Sequence, residues 1–193
     1  HKMRGIDVSE NNKAINWEVI AAAGYKFAIV RSSYGRTGID ERFIENVEGA
    51  HAAGLIVGAY HYSYALNRDQ AAEEAAHCGQ VIADAGVLLE LPVWYDMEDA
   101  DGYKARHGFA FDPEEITDMC KIFIENLGLD CGVYASLSWL DSYIDWESLD
   151  CAVWNAQWGP NDDLKGMMWQ YTENEYIPGA SSSGVFDADI LYE

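Results

Sequence analysis

Short β-rich apolar runs alternate along this chain with longer amphipathic stretches, and that alternation restricts the fold more than any other feature of the sequence. Arg4–Ser9, Phe27–Val30, Leu55–Tyr62, Leu91–Tyr95 and Cys131–Ala135 read as strands. Helical stretches follow them at Asn16–Ala23, at Asp40–Ala53, through Gln70–Ala85, from Asp112-Pro113 onward, and around Trp139 and Leu140. Asp40 suits an N-cap and Pro113 a first helical turn, while Gly24, Gly54 and Gly86 mark helix ends. Repeated βα units imply parallel strands. Three further strands, Cys151–Ala156, Met167–Tyr171 and Val185–Ile190, are joined by stretches without a helical period that carry Gly159, Pro160, Gly179 and Ser181–Ser183. The expectation is an α/β fold: a modified TIM-like barrel of about eight strands and five helices, its last three strands joined by loops.

At 193 residues the chain is expected to form one barrel domain over residues 4–193. Residues 1–3 read as a tag or processing remnant, because translation does not begin at His1. A net charge of −21 repels a phosphate backbone, which argues against nucleic acid as a partner. The sequence holds no eighteen-residue apolar run, so membrane insertion is not expected. Cys78, Cys120, Cys131 and Cys151 lie far apart without a C-x-x-C, and read as buried thiols rather than zinc ligands. Cys131 and Cys151 each open a predicted strand, which makes them the one pair to check for a bridge. The chain has no G-x-S-x-G elbow, P-loop or G-x-G-x-x-G turn, so nucleophilic serine and nucleotide chemistry drop out. No cofactor is implied, and without EF-hand spacing no metal is expected at its acids.

In a parallel barrel, reactive groups gather where strands end at one mouth. Asp7 ends the first strand, Asp96 and Glu98 end the fourth, and Asp187 lies in the eighth, which would close against the first. Along a strand, positions i and i+2 project from one face about 6.7 Å apart, so Asp96 and Glu98 can reach one bond. Spacing alone is weak evidence, because D-x-E also occurs at Asp112/Glu114 and Asp145/Glu147. Context separates them: Asp96/Glu98 follows an apolar strand, whereas Asp112/Glu114 brackets Pro113 at a helix start and reads as a cap. Crowded carboxylates raise one another's pKa, so one can stay protonated as a general acid while others ionise.

Aromatic side chains cluster at the same strand ends: Tyr60, Tyr62, Tyr134, Trp154, Trp158, Trp169 and Tyr171. Flat rings stack on the C–H faces of sugars, so a ring of them around an acidic mouth favours a polyhydroxylated ligand. His61 alternates out of phase with Tyr60 and Tyr62 and reads as a satisfied structural histidine.

Arg4-Gly5-Ile6-Asp7-Val8-Ser9, Phe43–Asn46, Ala50–Leu55, Gly58-Ala59-Tyr60-His61-Tyr62, Asp96-Met97-Glu98-Asp99, Gly132-Val133-Tyr134, Trp169-Gln170-Tyr171 and Phe186-Asp187 together resemble glycoside hydrolase family 25, the Chalaropsis-type lysozymes. The resemblance runs in order from Arg4 to about Ile190. It implies a modified barrel and hydrolysis of the β-1,4 bond between N-acetylmuramic acid and N-acetylglucosamine in peptidoglycan. By motif position Glu98 resembles the general acid, and Asp7, Asp96 and Asp187 the other acids of the site. Tyr60, Tyr62, Tyr134, Trp154 and Gln170 are the expected substrate contacts. Trp158 stands where a tyrosine is commoner and Asp189 where the family often has asparagine. Two mechanisms fit: attack by a carboxylate, or attack by the substrate's own N-acetyl oxygen, and the second is favoured with Asp96 orienting the acetamido group. Bacterial cell-wall peptidoglycan is the implied partner, and a monomer acting outside the cell or in the wall, secreted or released as a phage lysin, is expected. Wall-anchoring modules beyond this sequence are compatible with that reading. A non-catalytic glycan-binding domain, or a hydrolase of another N-acetylated glycan such as chitin, would use the same barrel and aromatics.

Overall fold

The computed structural model describes residues 2–192; His1, within the expected N-terminal remnant, and Glu193 lie outside the described residues. Among those described there are nine strands and seven α-helices. The strands are β1 (Lys2–Val8), β2 (Phe27–Tyr34), β3 (Gly38–Ile39), β4 (Ile56–Tyr62), β5 (Val93–Asp96), β6 (Cys131–Ser136), β7 (Val153–Ala156), β8 (Met168–Tyr176) and β9 (Val185–Tyr192). The helices are α1 (Trp17–Ala22), α2 (Phe43–Ala52), α3 (Arg68–Ala85), α4 (Tyr103–Arg106), α5 (Pro113–Leu127), α6 (Leu137–Ser142) and α7 (Trp146–Leu149). Pairing runs β1-β9-β8-β7-β6-β5-β4-β2, and β1 also pairs with β2, so eight strands close a barrel while β3 hangs on β2 as a hairpin. The expected barrel is therefore present, with one extra strand and two extra helices. Two-residue β3 and four-residue α4 and α7 are too short to leave a periodic signal.

Local chemistry starts and stops the elements largely as read. Asn16, Asn67, Asp112 and Ser136 cap α1, α3, α5 and α6 by accepting a backbone N–H, with Pro113 at the first turn of α5. Gly24, Gly54 and Gly86 follow or cap their helices in the left-handed region. Asp40 is the exception. The helix it was expected to cap begins at Phe43, and the buried Asp40 carboxylate instead accepts from Arg31 Nε at 2.9 Å, Glu10 N at 3.0 Å and Arg42 N at 2.9 Å. Cys151 precedes β7 rather than opening it, and it and Cys131 are free thiols, as are Cys78 and Cys120. No helix among the described residues is long and apolar enough to cross a membrane.

The all-parallel expectation fails at the last strand. β1, β2 and β4–β8 run parallel to one another, but β9 is antiparallel to both β8 and β1, as the β3 hairpin is to β2. A parallel return needs a crossover of about a dozen residues or more, and residues 177–184 are too few. The chain turns straight back, which brings the start of β9 to the barrel end where the parallel strands finish.

Alternation then sorts every strand into an outer layer against the helices and an inner one. On β5 and just after it, Val93, Tyr95 and Met97 join the outer core while Trp94 points inward with Phe27, Ile29, Trp154, Met168 and Leu191. Large rings fit inside because glycines face them. A Cβ on Gly5 would lie 2.6 Å from the Phe27 ring, and one on Gly132 would lie 2.6 Å from Trp94. This inner layer plugs the barrel and forms the floor under its mouth.

Candidate active site

Above that floor, the inward positions turn polar. Asp7 on β1, Arg31 on β2, Tyr60 and Tyr62 on β4, Asp96 and Glu98 on and just after β5, Tyr134 on β6, Trp154 on β7, Gln170 on β8 and Asp187 on β9 line one cavity of about 500 Å³. All four predicted acids and all five predicted contacts are thus brought together. Asp7 and Asp187 are direct cross-strand partners, which the antiparallel β9 makes possible. Met97 is fully buried in the outer core, so Asp96 and Glu98 on either side share the inward face although the strand itself ends at Asp96.

The electrostatics follow from crowding acids into a barrel mouth. Burial raises Asp96 well above the usual carboxylate range, and the neighbouring Glu98 carboxyl, in hydrogen-bonding contact, raises it further. Asp7 is raised well above that range by burial and then by Asp189. Asp187 is pushed up to about 9 by burial and the adjoining Asp7. Asp96 Oδ1 is buried with no hydrogen-bond partner.

A hydrogen-bonded scaffold fixes these groups. Gln170 Nε2 donates to Asp7 Oδ2 at 3.0 Å, and Gln170 Oε1 accepts from Tyr134 Oη at 2.9 Å and from Trp158 Nε1 at 3.0 Å. Gln170 therefore positions Asp7 as well as lining the cavity. Trp154 packs edge-on against Tyr60 and Tyr134 and donates from Nε1 to Asp189 Oδ1 at 3.0 Å. The fully buried Lys104 donates from Nζ to the carbonyls of Ser63 at 2.7 Å and Glu98 at 2.8 Å, tying the β4 and β5 ends together.

Two aromatic expectations are corrected. Trp169 and Tyr171 flank the inward Gln170 and so face away from the mouth: Trp169 Nε1 donates to the Gln157 carbonyl and Tyr171 Oη to Glu175. Trp158 lies in an adjoining cleft rather than in the acidic cavity. His61, between the inward Tyr60 and Tyr62, points outward, bonding Ser33 Oγ at 2.8 Å.

Sequence reasoning missed Arg31 and the burial of Asp189. Arg31 is the cation of the cavity and pairs with Asp40 and Glu10. Its signal was its phase, two residues after the inward Ile29 and four after Phe27. Asp189 is fully buried two residues after Asp187, raised by burial to about 8. A larger cavity of about 1030 Å³ lies past the end of β2. Its acids are already engaged: Glu74 with Ser63, Tyr64 N and Tyr95, Asp101 with Tyr64, and Glu73 with Arg36. Convergent acids, rather than volume, identify the site.

Residues 6–180 match the family model described as glycosyl hydrolases family 25. The chain is 25% identical to the autolytic lysozyme of Clostridium acetobutylicum over 96% of its own length and 55% of that protein's. It is 26% identical to lysozyme M1 of Streptomyces globisporus over 93% of its own length and 65% of that protein's. The chain thus spans between half and two thirds of these relatives. The structure of the modular autolysin LytC from Streptococcus pneumoniae, in complex with a synthetic peptidoglycan ligand, superposes with a TM-score of 0.85 at 23% identity, covering 100% of this chain and 47% of LytC, a likeness of fold.

Proposed function

The chain belongs to glycosyl hydrolases family 25, and from that premise we propose that it is a muramidase, hydrolysing the β-1,4 bond between N-acetylmuramic acid and N-acetylglucosamine in bacterial peptidoglycan. The single observation that carries the reading is the meeting of Asp7, Asp96, Glu98 and Asp187, drawn from both ends and the middle of the sequence, around one cavity walled by Tyr60, Tyr62, Tyr134 and Trp154. Lysis of walls would take place outside the cell or within the wall, with residues 4–193 as one catalytic domain.

In this reading burial, and then the adjoining Glu98 carboxyl, favour a proton on Asp96, which passes to Glu98 for transfer. Glu98 delivers it to the leaving oxygen as the C1–O bond breaks. The acetamido carbonyl oxygen of the muramic acid closes on C1 from the other face, and Asp96, left ionised, accepts the acetamido N–H. Water then attacks C1, breaking its bond to the acetamido oxygen and restoring the amide, while Glu98 takes the water's proton, which restores the carboxylic acid and retains the anomeric configuration. Asp7 and Asp187 act through Asp96, holding its charge state, and Gln170 sets the place of Asp7. Glu98→Gln should abolish lysis of purified walls while leaving the circular dichroism spectrum and melting temperature intact. Substantial remaining lysis would remove Glu98 from this role.

A further inference from the structure

We propose that Lys104 is a positioning residue for the reaction, a buried cation that holds Glu98 in place past the end of β5 and allows Asp96 to carry charge beside it. The inference rests on Asp96 and Glu98 being the reacting acids. The ladder between β4 and β5 stops at Tyr62 and Asp96. Just beyond it, Ser63 N donates to the Asp96 carbonyl at 3.1 Å and Met97 N to the Tyr134 carbonyl at 3.0 Å. The carbonyls of Ser63 and Glu98 then both accept from Lys104 Nζ, at 2.7 and 2.8 Å. One ammonium thus joins the two chains where the sheet no longer does.

The loop that leaves the site delivers this lysine. Asp99, directly after Glu98, accepts from Lys104 N at 2.7 Å and Ala105 N at 3.1 Å, which folds the chain back as α4. Lys104 is the buried residue of that helix. An ammonium out of water is costly unless it is hydrogen-bonded and faces opposite charge. Both of its hydrogen bonds above go to neutral carbonyls, so its charge is answered by the acids around it. These are Glu74 on α3, Asp96 on β5, and Asp99 and Glu98 past the strand, which together oppose the effect of burial on the lysine. On α5 the Cys120 thiol also lies within its field. Glu74 is shared with His61 and Asp99 with two backbone amides, so Asp96 and Glu98 are the acids of this set whose charge changes in the proposed reaction. Burial and the Glu98 carboxyl hold Asp96 protonated, and Lys104 pulls the other way. That opposing pull keeps an ionised Asp96 within reach once its proton has passed on.

The pH profile of kcat/KM on a soluble peptidoglycan tetrasaccharide tests this. Lys104→Met keeps the side chain's length and removes its charge, whereas Lys104→Arg keeps the charge. Loss of the cation raises the pKa of both neighbouring acids, so both limbs of the bell should move upward by about one pH unit in Lys104→Met. Lys104→Arg, however slow, should keep the limbs of the parent. A lysine that only braces the loop would lower kcat/KM at every pH without moving the limbs. A stationary bell in Lys104→Met, or the same displacement in both variants, would therefore overturn the proposal. Where Lys104→Met fails to fold, the parent protein with isotope-labelled lysine answers by nitrogen NMR. The other lysines are all exposed, so a slowly exchanging Nζ signal belongs to Lys104. It should be that of an ammonium across the active pH range, and a neutral amine there would overturn the proposal equally. Failure of the acid assignment is read separately, as tetrasaccharide cleavage persisting in Glu98→Gln.

Discussion

Asp7, Asp96, Asp187 and Asp189 are all raised by burial, and the crowding that holds protons at the barrel mouth also makes the fold resist ionisation. Asp189 separates the two effects, because it lies fully buried among the inward residues without lining the acidic cavity. Its carboxyl has about 3.8 as its ordinary value and about 8 in the folded chain. A raised acid contributes most to stability below its unfolded pKa, and that contribution is lost as pH climbs through the folded one. Asp189→Asn, which can still accept from Trp154 Nε1, should therefore match the parent in melting experiments near pH 4 and exceed it by roughly 5 kcal/mol near pH 8. Parallel stability curves across that range would show that Asp189 is not held neutral by its surroundings.

Beneath the β4 and β5 ends, helix α3 contributes a buried acid that joins three elements. Glu74 accepts from Ser63 Oγ at 2.8 Å, Tyr64 N at 2.7 Å and Tyr95 Oη at 2.7 Å, and faces His61 Nε2 at 3.5 Å. Burial alone would lower the His61 pKa, but the adjoining Cys78 sulfur and Glu74 carboxylate outweigh it and lift the ring to about 9. The ion pair is complete below the ordinary histidine value near 6.5 and lost as pH rises through about 9. Glu74→Gln is expected to cost about 3 kcal/mol in chemical denaturation at pH 6 and to flatten the decline between pH 6.5 and 9. An unchanged slope would mean that the pair does not titrate.

At this scale, elements are also where sequence and structure agree or part. The inward set was legible where alternation continued from an apolar strand into acids, as at Asp96 and Glu98; on β4 alternation set His61 opposite Tyr60 and Tyr62 without telling which side faced the mouth. The direction of β9 was not, because strand periodicity is the same in either direction and only the shortness of residues 177–184 records the reversal. Asp40 fitted a cap by residue type, but Arg31 drew it away, and a contact between a strand and a loop nine residues on leaves no local pattern. Trp169 and Tyr171 were grouped with the mouth by position along β8, although their phase relative to Gln170 already turned them outward. Family resemblance supplied the identities of the acids; spacing alone would not have chosen Asp96/Glu98 from the three D-x-E pairs.

For the molecule as a whole, a charge of −21 sets a long-range repulsion against an anionic cell wall. Screening relieves it, so the lytic rate on intact walls should rise with ionic strength up to about physiological salt, where the Debye length is near 8 Å. A rate that falls steadily from the lowest salt would contradict that picture of the approach to substrate. For the proposed muramidase the decisive question is which glycan bond is cleaved. Digesting purified peptidoglycan, reducing the new ends with borohydride and identifying the sugar alcohols by mass spectrometry reads this directly. Muramic acid alcohol that grows with enzyme is the predicted product, and glucosamine alcohol, or no new reducing end at all, would contradict the account.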